Sequence, residues 1–420
     1  MTRASGAKDA LGHLIAAKEV VVACGPGGVG KTTTAAALAA GAAQRSPARV
    51  LVLTVDPARR LADALGLDGL GHEARPVSLG EVAGREPPKG ELYAAMVDPV
   101  VSWEALVRRH APDLAAAGRI LANPLYQNIT RRFARSYEYI AMERLHELKA
   151  EGRFDLLVVD TPPSNDALDF LDAPERMAEF FSSGLLRWLI APYRSRLLNL
   201  ASKPFSHIAD RVLGTQFLED IAEFFLMFQQ MYEGFVQRAE AVSRLLREPA
   251  TTYLVVTTLE AAPSVEARRL IGELHQRGLP VGVVVANKAL PPSLERPGAA
   301  QLAEILLARR DELAKAVSSA DRVPVALNDA LRLSRVVGAI GRSFGNFSTV
   351  ARSESTLLGE LAAREQVALA VPHLARDVVD LPSLLEVSDH LFGDAPAGSP
   401  RAARPRPRRP AKPSERPSTT

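Results

Sequence analysis

Val20-Val21-Val22-Ala23-Cys24-Gly25-Pro26-Gly27-Gly28-Val29-Gly30-Lys31-Thr32-Thr33-Thr34 reads as a short apolar strand, a glycine-rich turn and the start of an alanine-rich helix. The segment Gly25-x-x-x-x-Gly30-Lys31-Thr32 satisfies the phosphate-loop pattern in full. Such a loop needs Gly25, Gly27, Gly28 and Gly30 so that the backbone, with Val29 among them, wraps closely around phosphate oxygens. Successive N–H groups then converge on the anion, and the positive end of the following helix adds to the field. In this pattern Lys31 reaches the β- and γ-phosphates as a point charge, the Thr32 hydroxyl ligates Mg²⁺, and Thr33 is placed for an α-phosphate contact.

Other apolar runs have the same grammar. Arg49–Thr54 leads into Val55-Asp56-Pro57, Glu91–Val97 into Asp98-Pro99, and Phe154–Asp160 into Thr161-Pro162-Pro163. Thr252–Thr257 and Pro280–Ala286 follow, the second ending in Asn287-Lys288, and Gln366–Val371 ends at Pro372-His373. Helical patterns separate most of them, including 7–18, 31–44, a periodic stretch in 125–148, 263–277, most of 299–365 and 381–392; residues 66–90 read as loop. Continuous apolar strands alternating with helices predict an α/β fold: a mostly parallel sheet covered by helices on both faces. Ligands of such sheets bind beyond the carboxyl ends of the strands. The fold therefore brings the phosphate loop, Asp56, Asp160 and Asn287 to one edge.

Each of these residues has a chemical reading and a plainer one. Asp160 ends a buried strand, where a carboxylate holds a water of the Mg²⁺ shell; otherwise it is a turn residue before Pro162. Asp56 is placed to orient a water on the γ-phosphate, or it merely caps a helix with Pro57 at the first position. The Asn287 amide both donates and accepts, as reading an adenine edge requires; asparagine is also a common turn residue.

With these motifs in order, most of residues 18–392 resembles the ArsA-type ATPases, a family that includes bacterial arsenite-pump ATPases and the eukaryotic ATPase that delivers tail-anchored membrane proteins. The resemblance rests on Gly25–Thr33 as the deviant Walker A loop. It rests also on Thr54-Val55-Asp56-Pro57-Ala58 with Leu61 and Asp63 as switch I, and on Asp160–Ser164 continuing through Leu168, Phe170, Leu171 and Pro174 as switch II. Asn287 falls at the family's adenine contact, and Val371-Pro372-His373-Leu374 at its last strand, which adds Pro372 to the nucleotide site. The resemblance implies ATP and Mg²⁺ as ligands, catalytic roles for Lys31, Asp56 and Asp160, and a helical subdomain at about 173–247 inserted after switch II. It also implies a nucleotide-closed dimer, as a homodimer or a heterodimer with a paralogous ATPase, that binds and releases a hydrophobic client or membrane protein.

Three departures qualify it. Pro26 stands where the family usually has a lysine that reaches the partner's nucleotide, and proline has neither charge nor N–H. Asn165-Asp166 stands where Gly-His is usual, and the Cys-x-x-Cys clasp of the targeting members is missing. Arsenite handling is disfavoured, because a thiophilic ion needs several thiolates and the chain has one cysteine, Cys24.

The totals set the remaining bounds. The 420 residues are 47% hydrophobic and 24% charged, the composition of an ordinary folded protein. One cysteine excludes a disulfide framework and points to a reducing compartment. No apolar run approaches the roughly 18 residues of a membrane span, and residues 1–18 lack the apolar core of a signal peptide; a cytoplasmic protein is expected. The net charge of +3 hides an asymmetry: residues 393–420 hold seven basic and two acidic side chains, so this tail is +5 and the rest is −2. Rich in Pro, Arg, Ala and Ser, the tail is expected to be disordered. It lacks aromatic residues for stacking on bases, so specific nucleic-acid binding is not expected, and a solubilising role is preferred over contact with anionic lipid. In the helical insertion, apolar clusters such as Phe224-Phe225-Leu226-Met227-Phe228 suit either packing between helices or a groove for a client helix.

Overall fold

The computed structural model describes residues 2–55, 60–80, 86–111, 113–123, 126, 136–162, 172, 179, 232–320, 329–362 and 367–393. Asp56, nearly all of the expected helical subdomain before residue 232, and the tail beyond Gly393 lie outside these residues.

Eight strands form one sheet in the order β3-β4-β2-β5-β1-β6-β7-β8. They are β1 (Val20–Cys24), β2 (Arg49–Thr54), β3 (Arg75–Val77), β4 (Glu91–Met96), β5 (Leu156–Asp160), β6 (Thr251–Thr257), β7 (Val281–Ala289) and β8 (Val367–Pro372). All neighbours are parallel except β3, which pairs antiparallel with β4 at one edge. The short β3 falls within the stretch that reads as loop. Pro76 at its centre breaks the apolar signal, and the strand is tolerated because it has a partner on one side only.

Alternation along β1 shows how the sheet holds two cores. Val20, Val22 and Cys24 enter one cluster, while Val21 and Ala23 enter the other. The first cluster is completed by α4 (Pro99–His110), α5 (Leu114–Ala122), α6 (Ser136–Glu151), α7 (Tyr232–Arg247) and α8 (Ala261–Gln276), through Trp103, Ile120, Ile140, Leu145, Val242 and Leu270. Each such side chain contributes roughly 1.5–3 kcal/mol by leaving water.

On the other face lie α1 (Thr2–Ala16), α2 (Lys31–Arg45) and the C-terminal α12 (Leu381–Phe392). The alanines of α2 from Ala35 to Ala43 are all buried, and their small side chains bring the helix axis close to the strands. A Cβ on Gly41 would lie 2.2 Å from Ser388 Oγ, so α12 approaches this turn directly. Arg45 closes the contact, donating to Asp389 Oδ1 at 2.9 Å with its guanidinium 5.0 Å from the Phe392 ring centre. The remaining described helices are α3 (Arg60–Ala64), α9 (Pro297–Ala308), α10 (Arg310–Ser318), α11 (Ala330–Ala362) and a short 3-10 helix at Pro292–Glu295.

The topology fixes where chemistry can occur. Because β2, β5, β1, β6, β7 and β8 are adjacent and parallel, their carboxyl ends form one continuous edge. Thr54, Asp160, the phosphate loop, Asn287 and Pro372 follow one another along it.

Candidate nucleotide-binding site

The phosphate loop is built by close backbone approaches. Gly25 leaves β1 with φ 146°, and a Cβ there would sit 2.0 Å from the Val256 carbonyl oxygen of β6. No other residue fits without moving β6. At the far end Gly30 caps α2 in the left-handed region, φ 93°. Its carbonyl accepts from both the backbone N–H and the hydroxyl of Thr34, each at 2.9 Å, which starts the helix. The rim between is Gly27 and Gly28, both exposed, while Pro26 and Val29 are buried.

Lys31 is 8% exposed, and its Nζ donates to the Pro26 carbonyl at 2.9 Å. The side chain thus folds back over the loop and holds its charge at the cradle. Thr33, next on α2, is half-buried in the same helical turn.

On the β5 side stands a hydroxyl–carboxylate cluster. Asp160 is the last residue of β5 and 1% exposed, in register with Ala23 of β1 and Thr54 of β2. Its Oδ2 accepts from Thr32 Oγ1 at 2.8 Å and from Thr54 Oγ1 at 3.0 Å. The next residue, Thr161, ties the strand end down, its hydroxyl donating to the Ala23 carbonyl at 2.8 Å. Hydroxyl and carboxylate oxygens beside a phosphate cradle are the hard ligands that Mg²⁺ takes together with substrate phosphates and water. The hydroxyl of Thr32 and the carboxylate of Asp160 fit that ion in chemistry and in their place beside the loop. Thr54 entered the sequence reading only as the first residue of the switch I motif; its bond to the Asp160 carboxylate had no signal there beyond a hydroxyl at the last position of β2.

On the β7 side, Asn287 lies against the loop. Its Nδ2 donates to the Val29 carbonyl at 2.8 Å, and its Oδ1 accepts from the Lys288 N–H at 3.0 Å. Pro372 ends β8, paired with Ala289 one strand further out. Lys31, Thr32, Asp160, Asn287 and Pro372 thus share the edge, and Asp56 lies outside the described residues.

A family profile described as "Anion-transporting ATPase" matches residues 18–317. The chain belongs to the ArsA ATPase family. A putative arsenical pump-driving ATPase of Chlorobaculum tepidum is 25% identical over 63% of this chain and 60% of its own length. The ATPase GET3 of Malassezia globosa is 28% identical over 64% of this chain and 72% of its own. An uncharacterized protein of Streptomyces coelicolor, SCO2128, is 31% identical over 64% and 61%. The chain therefore spans about 60% of the length of the Chlorobaculum relative. The ArsA family is one of ATP-hydrolysing enzymes, and the doubly covered, mostly parallel sheet is the fold its resemblance implied. No helix among the described residues is long and apolar enough to cross a membrane.

Cys24 closes β1 directly below the ArsA loop. It is buried, its thiol donates to the Leu254 carbonyl at 3.8 Å, and burial pushes its pKa up to about 12, slightly offset by the nearby Lys31 charge. The sulfur is a protonated core group at neutral pH and not a soft ligand.

Proposed function

We propose that this chain is a Mg²⁺-dependent ATPase whose nucleotide state controls its grip on a client or partner protein. The observation that supports this best is the meeting of Thr32 and Thr54 on the Asp160 carboxylate, at the phosphate loop and at the carboxyl edge of the sheet. In this reading the loop amides and Lys31 hold the triphosphate, and Thr32 and Asp160 hold Mg²⁺, which when bound neutralises charge developing on the transferred phosphoryl group. Asp56 orients the attacking water. Phosphoryl transfer depends mostly on positioning and electrostatics, so a few well-held groups suffice.

Thr54 extends this reading to coupling. It ends the strand that leads into Asp56, and its hydroxyl shares a carboxylate oxygen with Thr32. A change in the Mg²⁺ shell at Asp160 therefore bears on both strand ends at once. The client is a hydrophobic or membrane-protein segment bound by the helical insertion, by analogy with the targeting members of the family. An arsenite-pump role is disfavoured: the one thiol is buried and protonated.

A second reading is a low-turnover regulatory subunit in a heterodimer with a paralogous ATPase, and the burial of Pro26 favours it. That residue stands where the family carries a lysine reaching across the dimer, and here it faces inward with its carbonyl engaged by Lys31. Steady-state hydrolysis by the purified chain separates the two. The first predicts Mg²⁺-dependent turnover that Lys31→Ala abolishes; equal, negligible rates for both proteins break it. The second predicts ATP binding without turnover until a paralogue is added. Affinity capture with an ATP-held Asp56→Asn variant then distinguishes recovery of a paralogous ATPase from recovery of membrane proteins.

A further inference from the structure

The β7 side of the site contains a backbone irregularity that its role as a strand does not require. Pairing of β7 with β8 shifts between Ala286 and Ala289, and within that shift Lys288 adopts φ +58°. Lys288 is the one non-glycine residue with positive φ among the described residues. Conformations of this kind cost energy and persist where they aim something. What this one aims is Asn287. The Lys288 N–H turns back onto Asn287 Oδ1 at 3.0 Å, fixing the orientation of the amide, and Nδ2 then donates to the Val29 carbonyl at 2.8 Å. The approach is so close that a Cβ on Gly30 would lie 2.3 Å from Nδ2.

The carbonyl of Val29 and the N–H of Gly30 belong to one peptide unit. No described peptide is cis, and in a trans unit the two groups point in opposite directions. Holding the Val29 oxygen toward β7 therefore turns the Gly30 N–H away from β7, toward the inside of the loop where a phosphate oxygen is to be held. We propose that Asn287 is a positioning residue for the phosphate cradle, acting through the Val29–Gly30 peptide and independently of any contact with a base. This deepens the nucleotide-binding reading above and rests on it. It assigns the kink at Lys288 a purpose: it presents the amide side-on to the loop, leaving the second Nδ2 hydrogen and the second Oδ1 lone pair available for an adenine edge.

Two measurements on the full-length chain test it, using Asn287→Leu, which keeps the approximate shape and loses the donor without adding a charge beside the phosphate loop. In hydrogen–deuterium exchange without nucleotide, segment 25–34 is expected to exchange about tenfold faster in the variant, with the strands unchanged. Unchanged exchange in 25–34, or faster exchange throughout the sheet, overturns the proposal. In competition against a fluorescent ATP analogue with Mg²⁺, inorganic tripolyphosphate, which has no base, is expected to weaken about tenfold and ATP by at least that factor. A loss for ATP alone overturns the proposal and leaves Asn287 as a reader of the base only. A wild-type chain that bound neither ligand would break the nucleotide-binding reading, and the exchange measurement would still decide whether Asn287 holds the loop.

Discussion

The two flanks of the phosphate loop are built from different materials. On the β5 flank, the ends of two regular strands and the first turn of α2 bring together side chains that meet directly: Thr54, Asp160 and Thr32, with contacts of 2.8 and 3.0 Å. On the β7 flank the strand is irregular, the residue is neutral, and the contact is made through the backbone of the loop, Asn287 to the Val29 carbonyl. The difference matches the work each flank has to do. In the function proposed above, the charged flank serves the reacting end of a triphosphate, where electrostatics dominate, and the neutral flank serves the base end, where shape and directional hydrogen bonds decide.

The largest test of this contrast is Asp160→Asn. The substitution keeps volume, and the Thr32 and Thr54 hydroxyls can turn to accept instead of donate, so the fold survives. The carboxylate charge is lost where the Mg²⁺ shell is to be held. We expect turnover to fall about 10³-fold, in line with removal of one electrostatic group from such a site, while ATP affinity falls far less. Steady-state kinetics with a parallel binding titration checks this; equal losses in both would place Asp160 in ground-state binding.

Gly30→Ala attacks the other flank. The new Cβ meets Asn287 Nδ2 at 2.3 Å and the backbone sits at φ 93°, so the residue is strained whatever the amide does. Displacing Asn287 and straining the cap of α2 should together weaken nucleotide binding by about fifty-fold. Isothermal titration measures it. If the flanks are independent, the rate at saturating ATP holds within a few-fold; a collapse of that rate would show that the flanks are one unit.

Thr54→Val is a smaller probe on the charged side. It removes one of the two hydroxyls on Asp160 Oδ2 with little change in shape. The buried carboxylate loses a donor, with an expected stability cost of about 1–2 kcal/mol and a roughly tenfold slower turnover. Denaturant unfolding and steady-state rates read the two effects separately. An unchanged rate would limit Thr54 to holding the fold.

The same contrast explains what the sequence revealed. The sheet was legible because seven parallel strands are short apolar runs, each ending abruptly in polar residues; Asp160 lies at such an end, and Lys31 and Thr32 open the helix that follows the loop after β1. Thr54 stands at the head of the switch I motif, but only the register Thr54↔Asp160 brings its hydroxyl onto the carboxylate. The contact from Asn287 to Val29 joins residues 258 apart and depends on a backbone kink that no residue type announces, since lysine is a poor left-handed residue. The 33-residue α11 was legible only as helical territory. Gly338, Gly341 and Gly345 weaken its local propensity, yet a Cβ at Gly341 would press on Leu306 and Leu307 of α9 at 3.0–3.2 Å. Packing against a neighbour, invisible locally, overrides propensity there.

The finest test concerns Lys288 itself. Its φ of +58° costs about 1–2 kcal/mol for a residue with a Cβ, and glycine removes that cost while adding freedom to the unfolded chain. The net expectation for Lys288→Gly is a gain of roughly 0.5 kcal/mol, measurable by equilibrium denaturation. Because the Lys288 N–H stays in place, its bond to Asn287 Oδ1 survives, and tripolyphosphate affinity should not change. If stability rises and affinity holds, the kink is maintained by geometry alone, and lysine is there for its exposed side chain. If affinity falls instead, the kink needs the stiffness of a residue with a Cβ to keep Asn287 on Val29, and the β7 flank trades stability for a fixed phosphate cradle.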